Sequence, residues 1–260
     1  MTEGTGIRPE AAAAARADRP GGSGPPSAAI EAAVRALGRR ADDLTVETDG
    51  YVLRCCAGAV GCPRALVDVA ALRDEAQRAL DEAEIGPVLR GRVTGPLLLH
   101  HKLKVALAAC PNACSEPQIR DFGAVGHRTP QATENECTQC GDCVTACHES
   151  AVRLLPEGPV IAPEACISCG DCARACPTGH LAHGAEGYAL MVGGHLGRHP
   201  RLAVEVPGPF GQDEAIEALR RAVELFLHEL NPGERFGALV ARKGASAITG
   251  ARSKSTALEG

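Results

Sequence analysis

The sequence predicts an α+β fold: a larger domain of strands and helices, interrupted by a small cysteine-rich insert. Three observations lead there. Eight of the thirteen cysteines fall into two copies of one C-x2-C-x2-C-x3-C pattern, ECTQCGDCVTACH (Cys137 to Cys147) and ACISCGDCARACP (Cys166 to Cys176). Strand-like and helix-like segments bracket this repeat on both sides, the mark of an insertion into a host domain. The 260 residues are 45% apolar but only 2% aromatic, with no Trp, so Ala, Val and Leu must pack the core.

Taken in order, residues 1–27 are rich in Ala, Gly, Pro and Arg and read as a disordered tail. AAIEAAVRALGR (28–39) has helical periodicity, and LTVETDGYVLRC (44–55) reads as two strands turning at Asp49–Gly50. RALVDVAALRDEAQRALDEAE (64–84) is amphipathic at helical spacing, with Gly86–Pro87 as its stop. HKLKVALAAC (101–110) alternates like a strand. After the repeat, GYALMVGG (187–194) and PRLAVEV (200–206) suggest two further strands. DEAIEALRRAVELFLHEL (213–230) is a second amphipathic helix ended by Asn231–Pro232–Gly233, and the residues from 244 are small, polar and loose. The expected division is a tail at 1–27, a host domain at 28–132 and 184–243, an insert at 133–183 and a flexible tail at 244–260.

Composition excludes several functions. The net charge of −5 and the lack of a basic stripe interleaved with aromatics argue against nucleic-acid binding. No apolar run approaches the roughly 20 residues that span a bilayer, and the first residues lack the apolar core of a signal peptide. Clustered thiols without an export signal point to the reducing cytoplasm.

Four cysteines within eleven residues are too dense for the usual zinc site, which presents two C-x2-C knuckles on a longer spacer. Their spacing is that of [4Fe–4S] ligands, and the doubled run resembles the two-cluster bacterial ferredoxins. There the fourth cysteine of each run ligates the other cluster. The expected sets are Cys137, Cys140, Cys143 and Cys176 on one cube, and Cys166, Cys169, Cys172 and Cys147 on the other.

A second constellation lies outside the repeat: Cys56 and Cys62 in CAGAVGC, then Cys110 and Cys114 in CPNAC. Two pairs on two loops can cage a third cube, although on spacing alone a zinc site or unrelated buried thiols compete. C-x5-C followed by C-P-N-x-C resembles the nitrite and sulfite reductases that couple siroheme to a [4Fe–4S] cluster. CPNACSEPQIRDFGAVG (110–126) and GYALMVGGHLGRHPRLA (187–203) are similar to further family segments. The likeness covers most of 51–130 and 184–243, and a ferredoxin insert resembles the dissimilatory and anaerobic sulfite reductase subunits.

The resemblance implies that Cys56, Cys62, Cys110 and Cys114 hold a third cube, with Cys114 bridging to the siroheme iron. Cys56 is chosen over Cys55 because it gives the x5 spacing and puts Gly58 at the family's Cys-x-Gly position; Cys55 is read as a buried apolar thiol. Lys102 and Lys104 match the family's Lys-x-Lys that binds the oxyanion and supplies protons. On a strand both would project from one face, and Lys is rare here, four residues against 23 Arg. Arg54 and Arg198 are placed by motif to meet the siroheme carboxylates, and Gly193 and Gly194 to let the backbone approach the macrocycle.

The implied function is an oxidoreductase carrying three [4Fe–4S] clusters and siroheme, reducing sulfite to sulfide or nitrite to ammonia by six electrons from an external donor protein. The alternative is a non-catalytic electron carrier without siroheme. Family members place siroheme between two pseudo-symmetric halves, whereas only 28–54 precedes the first cysteine pair here. A homodimer or a partner subunit would restore the missing wall.

Overall fold

The computed structural model describes residues 44–231 and 233–250. The tail expected at 1–27, the helix expected at 28–39 and residues 251–260 lie outside the described residues.

Six strands form one mixed sheet in the order β1-β2-β3-β4-β7-β8. β1 (Thr45–Glu47) and β2 (Tyr51–Cys55) are the expected hairpin. Its turn is held by the Thr48 hydroxyl oxygen, which accepts the N–H groups of Gly50 and Tyr51 at 3.1 Å each. β2 pairs in parallel with β3 (Leu103–Ala108), and β3 in parallel with β4 (Phe122–Ala132). β7 (Leu181–Val192) and β8 (Val204–Phe210) complete the sheet antiparallel.

Parallel neighbours need a crossover, and β2 reaches β3 through α1 (Val69–Glu82) and α2 (Ile85–Arg92). α1 starts later than the expected 64 because Asp68 caps it, its carboxylate accepting the N–H groups of Ala70 and Ala71 at 3.1 Å each. Gly86–Pro87 does not end the helical stretch as expected; it lies in the first turn of α2. First-turn N–H groups have no partner within a helix, so proline costs nothing there.

Tyr51, Leu53 and Cys55 alternate as buried residues on β2 and pair with Leu103, Val105 and Leu107 on β3. They form one core with Leu72, Ala76 and Leu80 of α1 and with Leu219, Ala222 and Phe226 of α5 (Gln212–His228). β3 is buried on both faces save Lys104, so only part of its expected alternation survives. Beyond α5 the chain forms α6 (Phe236–Lys243) and α7 (Ser246–Thr249). The latter replaces the loose start expected at 244, because Ile248 is buried in the core. Among the described residues no helix is long and apolar enough to cross a membrane.

Residues 133–180 interrupt the β4–β7 pair, leaving the sheet at Ala132 and returning at Leu181, which are partners in the ladder. The segment holds a hairpin, β5 (Val152–Leu155) with β6 (Gly158–Ile161), and two five-residue helices, α3 (Asp142–Ala146) and α4 (Asp171–Ala175). It has its own small core of Cys143, Val152, Cys172 and Ala173, closed by Leu181. The backbone repeats along with the sequence: φ is +58° at Gln139 and +55° at Ser168, then +80° at Gly141 and +71° at Gly170.

Candidate metal centre

Because β2 and β3 run parallel, their C-terminal ends finish on one edge of the sheet. Cys56 follows β2 directly and Cys110 follows β3, so the topology brings the two cysteine pairs together. The Cys56 N–H donates to the Leu107 carbonyl at 3.0 Å. A one-turn 3-10 helix (Ala57–Val60), closed by Gly61 at φ +96°, carries the chain back to Cys62. Gly58 is required by close approach, since a Cβ there would stand 2.3 Å from Ala109 Cβ. The result is a hollow of about 200 Å³ lined by Cys56, Cys62, Cys110 and Cys114.

The thiols receive hydrogen bonds suited to thiolates. Cys56 Sγ accepts the N–H groups of Gly58 at 3.3 Å and Ala109 at 3.2 Å, and Cys114 Sγ accepts Asn112 Nδ2 at 2.9 Å. Burial pushes the Cys110 thiol up, and the neighbouring Cys56, Cys114 and Cys62 add to the effect. Cys114 is the exposed member of the four. Cys55 is only 4% exposed and sits in the core with its Sγ 4.0 Å from the Val69 carbonyl; burial pushes it up to about 12. It behaves as a small apolar residue. Among the described residues, no three His, Cys, Asp or Glu side chains converge closely enough for a single ion. The four thiols surround a hollow instead, a donor set with which a cube is compatible.

In the 133–180 segment, Cys143 lies within electrostatic reach of Cys140 and Cys176, and Cys172 within reach of Cys166, Cys169 and Cys147. The fourth cysteine of each run thus sits beside the other run's triplet. Burial raises Cys143 and Cys169, and pushes Cys172 up to about 11. Cys176 is also raised by burial, but N–H donors led by Leu181, together with the Thr178 hydroxyl, bring it below the ordinary thiol value. Backbone N–H groups of Ala151 and Ser168 donate to Cys147 at 3.2 Å and Cys166 at 3.4 Å.

The cationic residues differ from expectation. Lys102 precedes β3, and its ammonium pairs with Glu47 at 2.8 Å. Lys104 Nζ turns to the Lys102 carbonyl at 3.3 Å and lies 3.9 Å from Asp121. Each lysine thus has its own carboxylate neighbour. Arg54 pairs with Glu116 at 2.8 Å, and Arg120 shares that carboxylate. Arg198 is exposed on the loop after β7. Gly193 and Gly194 are buried against protein: a Cβ would stand 3.0 Å from Val240 Cβ at the first and 2.5 Å from the Gln118 carbonyl oxygen at the second. Their smallness serves internal packing.

Asp121 was not anticipated, and it organises this face. It is buried, and its carboxylate accepts the Lys104 backbone N–H at 2.8 Å. Burial lowers the Lys104 pKa, Asp121 pulls it back up, and Arg235 and Arg120 depress it again. Asp121 is raised by burial, against the lowering effect of Lys104, Arg235 and His195. Arg120 Nε and His195 Nδ1 are buried here without a partner. A carboxylate adjacent to a Lys-x-Lys strand is not recognisable from spacing, since Asp121 lies seventeen residues further on.

The ends of two parallel strands gather four thiols around one hollow, a donor set suited to an iron–sulfur centre. The chain belongs to the nitrite and sulphite reductase 4Fe-4S domain family, which residues 52–251 match. The coenzyme F420-dependent sulfite reductase of Methanocaldococcus jannaschii is 34% identical over 146 residues, covering 55% of this chain and 23% of that protein. One of the anaerobic sulfite reductase subunits of Salmonella typhimurium is 36% identical over 55 residues, 21% of this chain and 16% of that one. The matches thus span less than a quarter of either relative. The solved dissimilatory sulfite reductase I aligns over 77% of this chain and 53% of its own, with a TM-score of 0.54 and 17% identity, so it shares the fold.

Proposed function

We propose that the chain is an iron–sulfur subunit of a siroheme-dependent reductase, contributing to the site that converts sulfite to sulfide, with nitrite to ammonia as the related reaction. The observation that supports this most is the gathering of Cys56, Cys62, Cys110 and Cys114 around one hollow, beside a sheet face bearing Lys104, Arg120 and Arg54. These four thiols would hold one [4Fe–4S] cube. The doubled tetrads would hold two more in a ferredoxin-like insert, with Cys176 and Cys147 exchanged between them as the thiol neighbourhoods suggest.

Siroheme fits one wall of this face: Cys114 is exposed, and two buried nitrogens, on Arg120 and His195, lack partners. Bound there, siroheme would supply the iron at which the oxyanion is reduced. Cys114, the exposed thiol of the four, would be among the residues that hold it. Arg120 and Arg54, both now on Glu116, carry charge suited to macrocycle carboxylates. Lys104 would hold the anion and give up a proton at Nζ, its acidity raised by burial and by Arg235. Asp121 keeps that ammonium oriented. The opposite wall would come from a partner subunit or a second copy. An external electron donor would load the insert.

Anaerobic purification with siroheme supplied during expression tests the reading. Tetrapyrrole absorption that shifts on adding sulfite is the expected result. A protein with about twelve irons and no tetrapyrrole bands, alone or with its co-expressed partner, would overturn it in favour of an electron carrier.

A further inference from the structure

The β5–β6 hairpin of the interrupting segment turns one face inward and leaves the other open. Val152 and Ile161, partners in its ladder, reach the segment's small core. Leu155 and Val160 alternate to the opposite face, where they are 45% and 44% exposed. Val144 of α3, which packs beside β5, is 38% exposed. This open face adjoins the first tetrad. Gln139, between Cys137 and Cys140, donates its Nε2 to the Leu155 and Pro156 carbonyls at 3.1 and 3.2 Å. A Cβ at Gly158 would stand 4.0 Å from Cys137 Cβ, and Cys140 is an exposed thiol. The same segment holds the whole charge imbalance of the chain. Residues 133–180 carry seven Asp and Glu against two Arg and no Lys, and the remainder balances at 25 residues of each sign. Asp171 is neutralised by Arg64 and Arg174. The other six carboxylates are exposed and enter no ion pair among the described residues; Glu136 and Asp142 flank first-tetrad cysteines, and Glu157 sits in the hairpin turn.

We propose that this open face, with Val144, Leu155 and Val160 as its apolar centre and Glu136, Asp142 and Glu157 on its rim, docks a lysine- or arginine-rich one-electron carrier protein. The inference rests on the ferredoxin-like reading of the insert and adds the surface and the chemistry of its partner. Charge selects this occupant. Unpaired carboxylates around exposed apolar side chains match a cationic rim around an apolar patch, the usual anatomy of a contact steered by opposite charge. A second copy of the chain would bring the same net charge of −5 and be repelled. Arg153, opposite Val160 in the ladder, is the one cation of the hairpin. In the docked pair one electron leaves the carrier, which is oxidised by one, and enters the first-tetrad cube, which is reduced by one. No bond forms or breaks. The attraction is screened over about 8–10 Å at moderate salt, so it acts on the rate of encounter more than on affinity.

Electron exchange uses one contact in either direction, so the test reads the loaded, reduced full-length chain passing electrons to ferric cytochrome c, a lysine-rich carrier, by anaerobic stopped-flow absorption. The rate should fall steeply with added salt. Succinylated cytochrome c, its lysines made acidic, should react roughly tenfold more slowly at low salt. Combining Glu136→Gln, Asp142→Asn and Glu157→Gln should slow the native probe by a similar factor and flatten its salt dependence. Leu155→Ser with Val160→Thr should lower the rate at every salt concentration and leave the salt dependence unchanged. Neutralising three host carboxylates instead, Glu84→Gln, Asp213→Asn and Glu224→Gln, should leave the rate at the wild-type value. Iron per chain, unchanged in each variant, shows that the cubes are retained. Carbodiimide coupling of the wild-type chain to the probe's lysines should map to Glu136, Asp142 and Glu157. Equal rates with the two probes, equal slowing by the host variant, or coupling confined to the host overturns the inference and leaves the proposed reductase standing. The expected charge dependence in a protein that never binds siroheme would sink the reductase and keep the docking face. A chain that loads no cube on the first tetrad sinks this inference together with the three-cube reading.

Discussion

Cys114 is the most exposed thiol of its set and the last to be placed by the chain, on a turn where Ala113 adopts φ +49°. Replacing it, as Cys114→Ser, should cost the third cube and leave the tetrads loaded, so iron falls from about twelve or thirteen to about eight per chain; an iron assay with protein quantification reads this directly. A second residue-scale outcome concerns Asp121. The folded pKa of Lys104 lies below its ordinary value of 10.5, first through burial. Its contribution to stability is therefore full above the unfolded value and is lost as pH falls through the folded one. Asp121→Asn removes the one influence that pulls Lys104 up, so stability should rise with pH over a wider window that starts lower than in the wild type. The raised carboxyl of Asp121 has the opposite sign, its contribution being present at low pH and lost as pH rises; that loss should vanish in the variant. Thermal melts from about pH 4 to pH 10 check both. The cysteines were legible because ligand spacing is written into the chain. The cations were legible only as positions: which carboxylate each one meets, Glu47, Glu116 or Asp121, depends on strand register.

At the scale of elements, α5 supplies the largest apolar face, and Leu219 is 1% exposed at its centre. Leu219→Ala should destabilise the chain by about 2–5 kcal/mol, read as a lower denaturation midpoint at unchanged slope. The amphipathic helices and the first hairpin were readable because their apolar period matches one buried face. Others were not. FGAVGHRTPQA forms β4 with two glycines and a proline, residues that strand-reading rules demote; pairing to β3 and β7 on both sides overrides that. α2 was concealed because Gly86–Pro87 usually punctuates, and first-turn placement reverses its meaning. α7 is too short for periodicity to register, and only the burial of Ile248 marks it.

The whole molecule joins two thiol-bearing regions through one interrupted hairpin. Joining Ala132 to Leu181 through an Asn-Gly turn, with 133–180 removed, should leave the six-stranded sheet intact, because these residues already pair. The expected product is folded and carries about four irons per chain, seen by circular dichroism and iron assay. Loss of the sheet signal would show that the segment is a folding partner of the host. The plan of a host with an insert was visible in the sequence as elements bracketing a repeat. The docking of the interrupting segment against the host was not, since Arg64 and Asp171, which pair at 3.2 Å, are 107 residues apart.

A detour that starts and finishes on the same rung of a sheet has a consequence for inheritance. It can be acquired, exchanged or lost in one genetic event without shifting any neighbouring strand by a residue. The chemistry proposed at the strand ends and the electron supply proposed for the detour could then diverge separately, provided the few groups at their seam change in concert.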